Sequence, residues 1–406
     1  MGALGSARLG WGILGTGRIA GEFALALRRL PSALLVAIGS REQGRAEALA
    51  RAVGASRAHG SYEALVADPG VDVVYVATPN SRHRDHCILA LSAGKAVLCE
   101  KPFALNAIEA RAVAEVARRE RRFCMEAMWS RFVPAVERAL SIVRDGQIGD
   151  PLAFQADFGI RVASRDNRVF RLDLGGGSVL DLGVYLVSMA RLFLGPTQEV
   201  CGQALLGPSG VDEQAAMILR HRGGGQSVLF ASVLSETRGE ATLLGTRGRL
   251  RIHAPFYKPH RLSVERFAEV FAAPALPRSP SRLKQGLRLF YQRFEGIVSP
   301  FVRRPALELF DPVAGNGYHY QAVEVMARLR AGEIESPRMP LDESIATLET
   351  LDGLRAQWGV RFPGEVGLAG GDTGRGEARP RGQGPRVTGP GEAGEAASPA
   401  VDQERR

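Results

Sequence analysis

Cysteine, lysine and long apolar runs are all scarce in this 406-residue chain. The four cysteines form no CxxC pair, which argues against a disulfide framework and indicates reduced thiols in a cytoplasmic protein. No metal site is expected either, because no cluster of His, Cys and carboxylates has the spacing of metal ligands. No stretch of about 18 apolar residues occurs, so no membrane span is expected, and the N-terminal residues lack the features of a secretory signal.

The chain is basic, with a formal net charge of +9, but it has only four lysines among its 52 basic residues. The arginines are scattered through helical patterns and form no compact basic run interleaved with aromatic residues. Nucleic acid is therefore not expected as a partner. A basic surface can still attract an anionic cofactor.

A glycine-rich loop is the most informative feature that is present. Residues 10–20 read GWGILGTGRIA, in which Gly15 and Gly17 leave room for a pyrophosphate to touch the backbone. Helical spacing follows the loop, and 34–38 has the pattern of a buried strand. This strand–turn–helix–strand context predicts a dinucleotide site. The residues expected to bind the cofactor there are Gly15, Thr16, Gly17, Arg18 and Ile19.

The tip of the second strand indicates which nicotinamide cofactor is bound. An NAD site usually has Asp or Glu about 20 residues after the glycines, where it binds the ribose hydroxyl. Here the strand ends in Ser40 and Arg41, with Arg45 one helical turn further on. A hydroxyl and permanently charged guanidinium groups suit an additional phosphate, so these residues predict NADP. The alternative is that Arg41 is a solvated residue at the start of a helix.

Two sheets are predicted from the change of pattern along the chain. Strands and helices alternate over residues 8–127, which predicts a parallel, doubly wound sheet. From Leu152 onward several runs of period two follow one another with short turns, which predicts a mostly antiparallel sheet within 128–363. A final helix near 342–357 is expected to pack back on the first part.

Two further segments have unusual composition. The stretch 282–294 has a basic and apolar helical pattern, which suits a surface helix, or alternatively a contact with a membrane or another subunit. Residues 364–406 are rich in Gly, Pro, Glu and Arg and cannot bury a core, so a disordered tail is expected there.

Lys101 is the first candidate for chemistry. It follows an apolar strand and precedes Pro102, which disfavours a helix at Lys101 and would direct the lysine from the strand end toward the cofactor. A lysine in this position can exchange a proton with a substrate hydroxyl. The alternative is a surface lysine beside a helix start.

The second candidate is the segment GGGSVLDLGVY at 175–185. Three glycines allow a loop to approach a ligand, and the next helix carries Asp181 and Tyr185 four residues apart, on one face. Tyr185 can relay a proton, whereas Asp181 can bind a sugar-like hydroxyl or orient Lys101. The alternative is an ordinary helix start with a buried tyrosine.

Five ordered motifs, namely GILGTGRIA, ATPNSRH, GKAVLCEKP, EAMWSRF and GGGSVLDLGVY, resemble the glucose–fructose oxidoreductase, inositol dehydrogenase and rhizopine catabolism family (Gfo/Idh/MocA). The resemblance covers about residues 8 to 363. Tyrosine at 185, where many members have histidine, is similar to the dihydrodiol dehydrogenase and NADP-dependent xylose dehydrogenase branch. The resemblance implies an α/β fold with an N-terminal Rossmann domain and a C-terminal α+β domain with an open, mostly antiparallel sheet. That sheet often mediates oligomers, so a homo-oligomer is expected.

The resemblance also implies roles for named residues. Lys101, Tyr185 and Asp181 would be catalytic, Asp181 being the aspartate of the second domain. The cofactor site would include residues of the ATPNSRH and CEKP motifs, namely Thr78, Pro79, Asn80, His83 and Glu100. The substrate pocket would be lined by Trp129, Arg131 and Phe132, together with Asp181.

Together these patterns predict an NADP-dependent dehydrogenase acting on a small molecule with vicinal hydroxyls, either an aldose or a trans-dihydrodiol. Whether Lys101 or Tyr185 accepts the hydroxyl proton stays open. Two other hypotheses are an oxidoreductase that never releases its cofactor and a non-catalytic, cofactor-sensing regulator on the same fold. The regulator would need neither Lys101 nor Tyr185.

Overall fold

A computed structural model describes residues 8–267 and 306–365. Its first sheet is six-stranded and parallel throughout, with strand order β3-β2-β1-β4-β5-β6. The strands are β1 Leu9–Leu14, β2 Ala33–Gly39, β3 Arg57–His59, β4 Val73–Val76, β5 Ala96–Glu100 and β6 Cys124–Ala127. The strand order reverses between β1 and β4, which is where open sheets of this type bind ligands.

Five helices cover this sheet: α1 Arg18–Leu27, α2 Gln43–Val53, α3 Tyr62–Val66, α4 His83–Ser92 and α5 Ala107–Arg119. Two of them begin where the sequence predicts a cap. Ser61 Oγ accepts from the amide of Ala64 at 3.1 Å, and Asn106 Oδ1 accepts from that of Glu109 at 2.8 Å.

The second sheet has eight strands in the order β14-β13-β12-β11-β7-β10-β9-β8. They are β7 Pro151–Gly159, β8 Thr197–Leu206, β9 Asp212–His221, β10 Gln226–Ser232, β11 Ala241–Gly245, β12 Gly248–Ile252, β13 Arg261–Arg266 and β14 Leu307–Phe310. Every neighbouring pair is antiparallel except β7 and β10. The predicted fold class is therefore confirmed, with one parallel pair inside the second sheet.

The remaining α-helices of the described residues are α6 Pro134–Arg144, α7 Val184–Leu194, α8 His319–Arg330 and α9 Leu341–Trp358. The last of these contacts the first part of the chain: the amide of Ala107, at the start of α5, donates to Asp352 Oδ2 on α9 at 2.8 Å. The sequence reading missed β3, α6, β13 and β14. β3 has only three residues, too few to show a period.

One helical stretch, Leu172–Leu194, is long and apolar enough to cross a membrane by length and composition. It lies inside the molecule, where 83% of its most apolar window is buried. Its hydrophobicity is therefore that of a core helix packed against the second sheet.

The second sheet turns one apolar face to solvent. Ile218 and Val228 are direct cross-strand partners and are 47% and 53% exposed. Cys201 pairs with Ile218 from the next strand and is also exposed, whereas Cys87, Cys99 and Cys124 are buried. An oligomer formed through this sheet stays a prediction.

The structure moves the predicted start of the tail. Glu365, which the composition assigns to the tail, accepts hydrogen bonds from Arg355 Nη2 at 2.7 Å and from Asn106 Nδ2 at 2.8 Å. The Arg355 side chain is fully buried, and Asp352 is its other carboxylate partner at 2.6 Å. Folded structure therefore extends at least to Glu365. The rest of the predicted tail, and the stretch 282–294, lie outside the described residues.

Because Glu365 neutralises a buried guanidinium, we expect Glu365→Ala to lower the free energy of unfolding by about 1–3 kcal/mol. This is less than the roughly 3–5 kcal/mol for breaking an isolated buried pair, since Asp352 still faces Arg355. A chain ending after Pro363 should have a free energy of unfolding lower by the same amount than that of a chain ending after Glu365. Thermal and urea unfolding measure the effect.

The matched control is Glu349→Ala, which removes a half-exposed carboxylate paired with Arg111 on the same pair of helices. Such surface pairs contribute about 0–1 kcal/mol. Equal destabilisation by the two variants would contradict the assignment of Glu365 to the folded core.

Candidate active site

The glycine loop after β1 forms one wall of a cleft of about 500 Å³. Gly15 has φ +110°, and a Cβ there would lie 2.5 Å from the Ala77 carbonyl oxygen, so this position requires glycine. A Cβ at Gly17 would meet nothing within 4 Å. No side chain caps the first turn of α1. Its free amides, the positive end of the helix dipole and the open space beside Gly17 fit a pyrophosphate.

The tip of β2 closes the far end of this cleft. Ser40 is buried, and its Oγ accepts from the Glu42 amide at 3.3 Å. Arg41 is exposed and lines the cleft. Arg45 lines it too, but its guanidinium pairs at the surface with Glu42 at 2.9 Å. Arg41 is therefore the cation of the strand tip that has no ion pair within the described residues.

A second cleft of about 760 Å³ adjoins the first at Arg41. Tyr62 and His86 line it and pack edge to face, with ring centroids 4.5 Å apart. Burial lowers the pKa of His86, and its Nδ1 lies 2.9 Å from Thr78 Oγ1. Sequence reasoning did not identify Tyr62 or His86, because neither belongs to the glycine fingerprint.

The loop after β4 also lines the cleft through Thr78, Pro79, Asn80 and His83. Asn80 Nδ2 and both ring nitrogens of His83 are engaged by backbone carbonyls. Asn80 Nδ2 donates to the Gly175 carbonyl at 3.1 Å, while the His83 ring nitrogens lie 2.8 and 2.9 Å from the carbonyl oxygens of Pro102 and Thr78. Burial lowers the pKa of His83 to about 4, so the ring is neutral. These two side chains hold the cleft loops in place.

Lys101 leaves the end of β5 and points into the cleft. Its Nζ donates to the Asp181 carbonyl at 3.0 Å and to Asp181 Oδ1 at 3.3 Å, and lies 4.8 Å from the centroid of the Tyr185 ring. Glu100, just before it, accepts from the Lys101 amide at 3.1 Å and from the Tyr75 hydroxyl. Burial raises the pKa of Glu100. The three predicted catalytic residues therefore meet at one point.

Asp181 binds two cations through a single oxygen. Besides Lys101, Arg168 Nη2 donates to Oδ1 at 2.8 Å. Burial alone would raise the pKa of Asp181, but the charges of Lys101 and Arg168 lower it to about 2. Asp181 is therefore ionised at any working pH. Arg168 was missed by sequence reasoning, although it stands in the arginine-rich segment just before the three glycines.

Asp181 and Tyr185 are positioned by an irregular helix start. Residues Val179–Gly183 form a π-turn that continues into α7, a feature often found at functional sites. The buried Asp212 carboxylate accepts at its beginning from Ser178 Oγ at 2.8 Å and from the Val179 amide at 2.7 Å. The sequence analysis assumed a regular α-helical turn between Asp181 and Tyr185, whereas the structure has a wider π-turn at Asp181.

Tyr185 is buried beside aromatic rings. Its hydroxyl accepts from Trp129 Nε1 at 3.0 Å, and the Trp129 ring packs on Tyr318, with centroids 4.7 Å apart. Burial, followed by the negative charge of Glu100, raises the pKa of Tyr185 well above its usual value. Tyr185 is therefore protonated at neutral pH and can donate a proton to a substrate oxygen.

The structure places Arg131 and Phe132 away from the cleft, which corrects the expectation that they line the substrate pocket. Arg131 is buried and donates to Ser188 Oγ at 2.8 Å and to Glu343 Oε1 at 2.9 Å. The Phe132 ring lies under the Arg338 guanidinium at 4.6 Å. These residues share a tight 3₁₀ turn with Trp129, in which successive side chains point in different directions.

No group of three or more His, Cys, Asp and Glu side chains that could hold a metal ion occurs within residues 8–267 and 306–365. The polar side chains grouped around Lys101 are Asp181, Arg168 and Tyr185, with Tyr318 in the same cleft. This set suits proton exchange with a hydroxyl beside a dinucleotide.

The sequence profile of an oxidoreductase family with an NAD-binding Rossmann fold, Gfo/Idh/MocA, matches residues 9–128, and the profile of its C-terminal domain matches residues 136–251. The chain belongs to the Gfo/Idh/MocA oxidoreductases. The family assignment made from the five motifs is thereby confirmed, and the domain boundary at 127 stays a prediction.

Curated members of the Gfo/Idh/MocA family are similar over most of the chain. The trans-1,2-dihydrobenzene-1,2-diol dehydrogenase of mouse is 34% identical over 359 residues, which are 87% of this chain and 98% of the mouse enzyme. The human enzyme of the same name is 32% identical over the same shares. This supports the dihydrodiol dehydrogenase branch.

Among solved structures, a 3-ketoreductase from Actinomadura kijaniata in complex with NADP and TDP-benzene is 25% identical, with a TM-score of 0.69. The match covers 86% of this chain and 97% of that one.

Proposed function

We propose that this oxidoreductase uses NADP and oxidises one hydroxyl of a vicinal diol, either a trans-dihydrodiol or an aldose such as D-xylose, to a carbonyl. The observation that carries the proposal is the meeting of Lys101, Asp181 and Tyr185 beside the uncapped glycine loop. When bound, the nicotinamide supplies the hydride acceptor. The names of the mouse and human relatives support a diol substrate, and the 3-ketoreductase complex supports NADP.

Separate groups of residues bind the cofactor and exchange the proton. The free amides after Gly17 bind the pyrophosphate, and Arg41 with Ser40 binds the additional phosphate. The adjoining cleft beside Tyr62 has room for the adenosine end. Tyr185 and Lys101 exchange the hydroxyl proton, while Asp181 keeps Lys101 in place through its side-chain and main-chain oxygens.

The direct test follows cofactor absorbance with NADP or NAD and a panel of trans-dihydrodiols, D-xylose, other aldoses and polyols. Reduction of NADP by a diol or sugar is expected, and no reduction by any member of the panel would overturn the proposal. Denaturing the purified protein and reading nicotinamide absorbance distinguishes a releasable cofactor from one that is never released.

The assignment of Arg41 predicts a cofactor-specific loss. A hydrogen bond to a charged group contributes about 1.5–3 kcal/mol, and about 1.4 kcal/mol is a tenfold change in affinity. Arg41→Ala should therefore raise the Kd of NADP by about tenfold to a hundredfold and leave that of NAD nearly unchanged. Fluorescence titration with the reduced cofactors measures both.

Arg45→Ala is the comparison variant, because Arg45 is already paired with Glu42 at the surface. Arg45→Ala should raise the Kd of NADP by less than Arg41→Ala does. Equal weakening of NADP and NAD by Arg41→Ala would rule out a role in recognising the additional phosphate.

A further inference from the structure

Tyr318 is a cleft residue that no sequence motif identifies. It lies far along the chain, at the start of α8, and lines the same cleft as the glycine loop, Lys101 and Tyr185. The backbone there is held in place, because the Tyr318 amide donates to Asn316 Oδ1 at 3.2 Å. Gly317, with φ +91°, makes the approach possible: a Cβ at this position would lie 3.0 Å from the Trp129 ring.

The ring of Tyr318 is fixed by Trp129. The two centroids are 4.7 Å apart, and the same Trp129 donates its Nε1 proton to the Tyr185 hydroxyl. Tyr318 and Tyr185 therefore flank one indole. Burial, followed by the influence of Tyr185 and Glu100, raises the pKa of Tyr318 above its usual value. At neutral pH its hydroxyl is uncharged and can both donate and accept a hydrogen bond.

The other polar groups in this part of the cleft already have partners. Lys101 and Arg168 bind Asp181, and the Tyr185 hydroxyl accepts from Trp129. No hydrogen bond within residues 8–267 and 306–365 engages the hydroxyl of Tyr318. A site that exchanges a proton through Tyr185 and Lys101 thus has one uncommitted hydroxyl close to the reacting groups.

We propose that Tyr318 determines substrate specificity by binding, through its hydroxyl, the substrate hydroxyl next to the one that is oxidised. This inference rests on the proposed function and deepens it, because it explains how the cleft would distinguish a vicinal diol from a simple alcohol. The ring of Tyr318 would lie along the carbon skeleton of the substrate. The Tyr318 hydroxyl would take the place of a water molecule hydrogen-bonded to the second hydroxyl of the substrate.

The test compares wild type with Tyr318→Phe on a matched pair of compounds, trans-cyclohexane-1,2-diol and cyclohexanol. KM and kcat are measured with NADP, and an inhibition constant replaces KM where turnover is slow. Loss of one neutral hydrogen bond should raise the KM or inhibition constant of the diol by about five- to tenfold and leave that of cyclohexanol unchanged. The Kd of NADP, from fluorescence titration, should also stay unchanged.

Tyr320→Phe is the control for loss of a tyrosine hydroxyl from the same segment, because Tyr320 Oη accepts from the Ala314 amide at 3.1 Å rather than lining the cleft. It should leave the ratio of the diol and cyclohexanol constants as in wild type.

Three results would overturn the role of Tyr318 without affecting the proposed function. They are an equal change in the constants of the diol and cyclohexanol, a weaker NADP complex in Tyr318→Phe, or the same change in the ratio of the two constants in Tyr320→Phe. If wild type oxidises no diol or sugar at all, the proposed function fails and the inference fails with it. The wild-type panel therefore separates the two failures.

Discussion

Replacing Lys101 with methionine should lower turnover by about 10²- to 10⁴-fold, the range expected for a positioned proton-transfer group. Methionine keeps the length of the side chain but removes the donor that binds Asp181 at 3.0 and 3.3 Å. Asp181 retains its bond from Arg168, so the cleft should keep its shape. The Kd of NADP should change little, because the proposed site of the pyrophosphate is at Gly17 and the proposed site of the additional phosphate is at Arg41.

Lys95→Met is the matched control. Lys95 precedes the same strand at its other end, where its Nζ donates to the carbonyls of Asp68 and Val71 at 2.9 and 2.8 Å. Steady-state kinetics should show wild-type turnover for Lys95→Met. Unchanged turnover in Lys101→Met would contradict a role for Lys101 in proton exchange.

The second large effect is expected for Tyr185→Phe, which should also reduce turnover by about 10²-fold or more. The change removes the hydroxyl that Trp129 binds at 3.0 Å but keeps the ring over which Lys101 lies. The melting temperature should fall only slightly, since the buried Trp129 N–H loses one partner. Turnover near that of wild type would show that the tyrosine is a packing residue.

The pH dependence decides which group carries the proton. Because burial raises the pKa of Tyr185, the tyrosine is protonated at neutral pH and ready for carbonyl reduction. Oxidation needs the deprotonated form, so its kcat/KM should rise by up to about tenfold per pH unit as the pH increases toward the pKa, while reduction stays flat. In Tyr185→Phe the rise should disappear. A rise that persists would assign the proton to Lys101.

Local pattern was enough for the features that depend on backbone conformation and period. The glycine loop, the strand that ends before Lys101 and the two kinds of sheet could all be predicted. They depend on neighbours a few residues apart, such as the tight turn at Gly15 or the cap at Asn106. Short or atypical elements, such as β3 and the π-turn before α7, could not.

Which side chains form the site depends on contacts between residues that are far apart in the chain. Local sequence patterns carry no information about such contacts. Arg131 stands two residues from Trp129 yet turns into a buried ion pair with Glu343, because a 3₁₀ turn directs successive side chains differently. Glu365 resembles the tail in composition but neutralises a buried guanidinium.

The sequence by itself determined the family and predicted the dinucleotide loop and the two candidate catalytic residues Lys101 and Tyr185, because each is written in contiguous motifs whose backbone geometry is local. Only the tertiary structure decided that Arg168 shares the Asp181 oxygen with Lys101 and that Tyr318 packs on Trp129. Those contacts join segments of the two sheets and of the C-terminal helices, and they form only when the cores beneath those segments are packed.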